Sequence, residues 1–124
     1  MYTEIKTFED ACKAINVEPT IIPDFSLFPE SEQQAMIAHA KLVIIAKAIN
    51  GDWIPDWTNG EWDKYYPWFK MGSPSGGCFS YHDFAYWYST GSDVGSRLCF
   101  ESSEKAEYAG NQFEDLYKAY FVKA

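Results

Sequence analysis

The chain reads as an α+β domain: a small antiparallel sheet of about four strands packed against three helices, in the order ααββββα. Three observations predict this. Apolar residues recur at helical spacing before Gly51 and again after Ser102. All five tryptophans, Trp53 to Trp87, fall between those stretches. That middle region is broken by Asn59-Gly60, Pro67 and Gly76-Gly77, and its aromatic runs are of the kind enriched in strands. At 124 residues a single domain, 1–124, is expected, able to bury about two thirds of the surface its unfolded form exposes. An apolar content of 47% with 23% charged residues excludes a disordered chain.

The first helix is predicted from Thr7, which can cap it, with Asp10 at the third helical position to reach back. It should run to about Asn16 and bury Phe8, Ala11, Cys12 and Ile15. Pro19, Pro23 and Pro29 forbid a regular helix through 17–29. The second helix should begin with Ser31 as cap and Gln34 as its capping-box partner. Ala35, Ala38, Leu42, Ile45, Ala46 and Ile49 form its inward face, and Asn50-Gly51 supplies a left-handed stop.

Beyond Gly51 the helical period ends. Trp53–Trp57 and Trp62–Phe69 read as two strands around the Asn59-Gly60 turn. Pro55 and Pro67 each remove a ladder donor, which makes both segments edge-like. Residues 71–77 read as a loop, Phe79–Tyr88 as a third strand, 89–95 as a turn and Arg97–Phe100 as a short returning strand. Ser102 then caps one last helix, whose face is Ala106, Ala109, Phe113, Leu116, Tyr117 and Tyr120. Gly110 weakens that helix slightly.

Charge narrows the function. The net charge is −8 and Arg97 is the only arginine, so no binding to nucleic acid is expected, because phosphate backbones are met by clustered Lys and Arg. The acidic residues are spread along the chain, which weakens the alternative of an acidic antagonist of a host nucleic-acid-binding protein. Cys12, Cys78 and Cys99 cannot all pair within one chain. Buried thiols in a reducing compartment are the simpler account, with a Cys78–Cys99 bridge left open. The N-terminal residues lack the apolar core of a signal peptide. The longest apolar run, Leu42–Ala46, is too short to cross a bilayer. The expected location is the host-cell cytoplasm or a virion, with no membrane contact.

The most informative stretch is 77–95. It carries Phe79, Tyr81, Phe84, Tyr86, Trp87 and Tyr88 among Ser, Gly, Asp and His, with no Lys, Arg or Glu. Rigid amphipathic rings diluted by small polar residues are the palette of antibody paratopes. The candidate ligand-binding residues are therefore Tyr81, His82, Asp83, Tyr86, Trp87, Tyr88, Asp93 and Arg97. The same composition also suits an aromatic strand on a core. A second aromatic group, Trp57, Trp62 and Trp68, divides in the same way: at period-two spacing some of these rings face solvent unless the sheet is covered on both sides.

No catalytic constellation is evident. His82 and Asp83 are neighbours in a predicted strand and so point to opposite faces. His39 lies on the buried helix and reads as a hydrogen-bonded structural histidine. Cys78, His82, Asp83 and Cys99 match no zinc spacing, and the 72–77 loop lacks the Lys-Ser/Thr ending of a phosphate loop. The expectation is no enzyme, no metal and no cofactor.

Several segments together resemble one family. They are Lys6-Thr-Phe-Glu-Asp-Ala-Cys, Pro23-Asp-Phe-Ser-Leu-Phe-Pro-Glu, Met36-Ile-Ala-His-Ala-Lys-Leu-Val-Ile-Ile, Pro55-Asp-Trp-Thr-Asn-Gly-Glu-Trp, Val94-Gly-Ser-Arg-Leu-Cys-Phe and Ala106-Glu-Tyr-Ala-Gly-Asn-Gln-Phe. The group consists of small uncharacterised proteins of gut Bacteroidales genomes and their phages or prophages. The resemblance covers nearly the whole chain and implies a phage or mobile-element origin, without an activity. More weakly, Val94-Gly-Ser-Arg-Leu-Cys is similar to the closing strand of the C-type-lectin-like variable proteins diversified by retroelements, which implies a reduced C-type-lectin-like fold as an alternative. Those proteins usually end at this segment, whereas here a helix follows. The resulting expectation is a non-enzymatic binding module whose aromatic surface contacts a protein or glycan ligand. A minor structural component of a virion is the other alternative.

Overall fold

The computed structural model describes residues 1–58, 63–71, 80–87 and 94–123; at Lys70 and through 80–87 only the backbone is described. Helix α1 spans Phe8–Ala14. Its start is the capping box expected from the sequence. Thr7 Oγ1 accepts from the Asp10 amide at 3.0 Å, and the Asp10 carboxylate accepts from the amides of Lys6 (3.0 Å) and Thr7 (3.2 Å). The Lys6 amide contributes most to holding the Asp10 carboxyl below the usual carboxylate range, partly opposed by desolvation. Phe8, Ala11 and Cys12 are buried, whereas Ile15, past the helix end, is half-buried.

The proline-rich connection contains only a short 3₁₀ turn, Pro19–Ile21. Helix α2, Glu30–Asn50, then begins one residue ahead of the predicted cap. Pro29 occupies the cap position, and its carbonyl accepts from the Glu32 amide at 2.9 Å. Ser31 therefore lies inside the first turn, where its hydroxyl donates to Glu32 Oε2 at 2.7 Å instead of capping. Gly51 ends the helix at φ 63°, as the Asn-Gly signal predicts. Ala38, Leu42, Ile45, Ala46 and Ile49 are buried in the core.

Among the described residues the expected four-stranded sheet is not formed; there are four α-helices and one two-stranded antiparallel ribbon, β1 (Lys64–Lys70) with β2 (Ser80–Trp87). Neither the ααββββα sheet nor the reduced lectin-like alternative describes this largely helical chain. Trp53–Trp57 is not a strand. Asp56 takes the amide of Thr58 (2.9 Å) and its hydroxyl (2.6 Å), turning the chain where a ladder would have to run. The returning strand 97–100 shrinks to one bridge, with Tyr65 and Phe100 exchanging amide-to-carbonyl bonds of 3.0 and 2.6 Å. The residues on either side are committed elsewhere. Ser96–Leu98 winds into a 3₁₀ turn, and Ser102 caps the next helix through its hydroxyl and the Lys105 amide (3.2 Å).

The single C-terminal helix of the prediction is two: α3 (Ser103–Gln112) and α4 (Glu114–Phe121), parted at Phe113 with φ −116°, ψ 30°. Of the expected face Ala106, Ala109, Phe113 and Tyr117 are buried and Leu116 and Tyr120 half-buried, and Gly110 is buried with them. Helix α4 packs along α2, and α3 lies over β1. A single cluster joins α1, α2, α3, α4, Phe69 and Phe100. Among the described residues no helix is long and apolar enough to cross a membrane.

Asn50 ties the end of α2 to the segment before α3. Its Nδ2 donates to the Cys99 carbonyl (2.9 Å), and its Oδ1 accepts from the Glu101 amide (3.2 Å). Asn50→Ala leaves both backbone groups without these partners and should cost about 1–3 kcal/mol, measurable as a lower urea midpoint.

Candidate functional site

The ribbon places the aromatic residues singled out in the sequence. Strand β2 spans Ser80–Trp87, so Tyr81, His82, Asp83, Tyr86 and Trp87 lie on it as expected. Its register sets Lys64 opposite Trp87, Tyr65 opposite Tyr86, and Trp68 opposite Asp83. The next pair is Phe69 with Tyr81, which makes His82 an extra residue on β2 at a bulge. Bulges re-aim side chains and are over-represented beside functional sites. Trp62, Cys78, Tyr88 and Asp93 lie outside the described residues.

Strand β1 is covered on both sides. On one side Phe69 packs against Tyr117 and Phe121 of α4, at ring-centroid distances of 5.0 and 5.7 Å. On the other, Lys64 and Tyr66 are buried. Cover ends at Trp68, which shares the face of Lys64 and Tyr66 by alternation yet is 50% exposed, with Met71 beside it at 52%. The Tyr66 and Trp68 rings are 6.3 Å apart. Around them lies a shallow apolar depression of about 200 Å³, lined by Tyr66, Trp68, Phe69, Met71, Val94 and Phe121. Of these residues the sequence singled out Trp68. Val94 and Phe121 carried no local signal, because only the packing of α4 on the ribbon brings them there.

Trp57 and Trp68 have opposite fates. Trp57 is half-buried, its indole N–H donating to the Ser96 hydroxyl. Its ring lies 4.9 Å from the ammonium of Lys64, a residue with no exposed surface. A desolvated ammonium over an indole is a cation–π contact of the stronger kind. This corner is structural. Cys99 sits in it at 1% exposure, and burial pushes its thiol up to about 11, against a smaller lowering by Lys64. Such a thiol stays protonated at neutral pH and is no nucleophile. Cys12 and Cys99 are free thiols; Cys78, the other half of the bridge left open, lies outside the described residues. His39 is structural too, though not in the expected way. Its ring stacks on Tyr120 at 4.6 Å, and its Nδ1 is buried without a hydrogen-bond partner.

Arg97 is exposed in the 3₁₀ turn, away from the Trp68 depression. It lies on the rim of a separate cleft of about 460 Å³ at the end of α2, with Lys47, Trp53, Ile54, Pro55 and Ser96. A larger open hollow of about 730 Å³ lies between the first residues, α1 and the ends of α2 and α3. Two of its charged groups are already engaged, Asp10 in the capping box and Lys105 in a 2.7 Å pair with Glu101. Among the described residues no three His, Cys, Asp or Glu side chains converge as metal ligands would.

Compared with families of known proteins, with curated proteins and with solved structures, the chain matches none.

Proposed function

We propose that the chain is a non-enzymatic binding module that contacts a protein or glycan ligand through the aromatic ribbon, with Trp68 as its anchor. One observation carries this reading: Trp68 is half-exposed beside Met71 over an apolar depression, although its ring has the apolar area of a core residue. Tryptophan is highly buried on average, and at interfaces it is among the commonest energetic anchors. The register supports the choice by setting Asp83 across from Trp68 and the bulge at His82 next to it. An exposed indole can stack on a sugar face or fill a peptide pocket. The reading rests on these residues and not on the family resemblance.

The test is a parallel screen of immobilised glycans and a displayed peptide library with the parent and with Trp68→Ala. Ligands retained by the parent should bind the variant at least about 2 kcal/mol more weakly, while the melting temperatures of the two proteins stay together, since an exposed ring contributes little to the core. Ligands indifferent to Trp68, or a Trp68→Ala variant that unfolds, would reject the proposal.

A further inference from the structure

The two ends of α2 carry complementary features on the same side of the helix. At the N-terminal end the connection 25–28 presents apolar side chains to solvent: Leu27 is 98% exposed and Phe28 44%. The segment is ordered, because Asp24 Oδ1 accepts from the Ser26 amide (2.9 Å) and the Phe25 and Phe28 rings pack edge to face at 5.4 Å. Gln33 of α2 holds it by donating to the Phe28 carbonyl at 2.9 Å. The charged residues nearest it in sequence are acidic, and one of them, Glu32, pairs with Lys123 at 3.7 Å. Between Lys13 and Lys41 the chain has Glu18, Asp24, Glu30 and Glu32 and no Lys or Arg.

At the C-terminal end is the 460 Å³ cleft, with apolar walls from Val43, Trp53, Ile54 and Pro55, and with Lys47, Arg97 and Asp52 as its charged residues. Ile54 is itself 80% exposed. An apolar projection flanked by Asp24 and Glu30 thus matches an apolar cleft in which Lys47 and Arg97 outnumber Asp52. Helical periodicity puts Gln33, which holds the projection, on the same face as Val43 and Lys47, which wall the cleft. That face is opposite the core residues Ala38, Leu42, Ile45 and Ile49. Along it lie Met36, Ile37 and Ala40, half-buried and apolar.

Projection and cleft are separated by the length of α2, about 30 Å for its 21 residues, so one copy cannot satisfy itself. Two copies laid antiparallel along α2 satisfy both ends at once. We propose that the chain forms a two-fold homodimer in which the Phe25–Phe28 segment of each copy fills the Lys47/Arg97 cleft of the other. The two-fold axis passes near Ala40, the middle residue of α2, where a small side chain permits close approach. Such an interface is isologous and closes on itself, so it gives dimers and not filaments. It is independent of the ligand reading at Trp68.

The test is sedimentation equilibrium of the full chain over a wide concentration range. The parent should show twice the chain's mass. Leu27→Asp, a change at a solvent-exposed position, should yield the monomer with an unchanged circular dichroism spectrum. A charge exchange then probes the pairing. Glu30→Lys and Arg97→Glu should each weaken the dimer alone, since each places like charges at both contacts. Mixed in equal amounts they should form a heterodimer, because both contacts are then complementary. A parent monomeric throughout the range overturns the proposal. So does a dimer that survives Leu27→Asp, or a mixture that associates no better than its components.

Discussion

Leu42→Ala will destabilise the fold by about 2–5 kcal/mol, a large share of what a domain of this size possesses. Leu42 is 1% exposed at the centre of α2, with Ile45 at 0% and Ile49 at 3% on the same face. Helices α1 and α4 both pack on α2, so the shortened side chain faces walls that belong to separate elements. Collapse around the void would require several elements to move together, which favours the upper part of the range. Urea titrations of parent and variant at one fixed protein concentration should differ in midpoint but not in slope. A midpoint within experimental error of the parent's would mean that this face is not the core.

Alkaline pH will unfold the protein before its exposed groups alone would require. Burial raises the Cys99 thiol to about 11 and pushes the Tyr117 hydroxyl well above its ordinary value. Both groups are neutral when protonated, so the native state keeps its protons after the unfolded chain begins to lose them. Stability is then undiminished below the unfolded thiol's pKa, near 9. It falls as pH rises through the interval between there and about 11, by roughly 1.4 kcal/mol per unit for Cys99 alone. Tyr117 adds a second loss that starts about one unit higher. Cys99→Ala should flatten the first part of the stability profile and Tyr117→Phe the second, each relative to its own value at neutral pH. A profile flat from pH 8 to 11 in the parent would show that neither thiol nor phenol is desolvated as described.

These residues also show how far the sequence could be read. Thr7 with Asp10, the inward face of α2 and the stop at Gly51 depend on contacts within a few residues, and each is visible in the chain itself. The strand through Tyr81–Trp87 is likewise local. What failed were elements decided at long range. The returning strand at 97–100 has adequate residues for a ladder. Its neighbours are held by the α3 cap and by the Asn50 side chain, which takes the Cys99 carbonyl and the Glu101 amide from 49 and 51 residues away. The break at Phe113 has no Pro or Gly at it. It reflects the docking of α4 on α2 and Phe69, which no periodicity in 103–121 encodes. The aromatic cluster was legible as a composition but not as a surface. Trp57 and Trp68 are alike on paper, and only Lys64 and Ser96 on one side, and the end of cover on the other, make one internal and the other external.

The hydrogen bonds from α3 back to the first residues have a kinetic meaning. The Tyr108 hydroxyl lies 3.0 Å from the Thr3 carbonyl and 2.7 Å from that of Ile5, and Gln112 reaches the Lys6 carbonyl at 2.9 Å. These partners are separated by 103 to 106 residues, so closing them carries the entropy of a loop nearly as long as the chain. During synthesis the first residues can pack on α2, but their hydrogen bonds to Tyr108 and Gln112 cannot form until α3 has left the ribosome, and α2 must wait with its core face uncovered on the α3 side. The protein should accordingly fold late and in one step, slowly for its helical content.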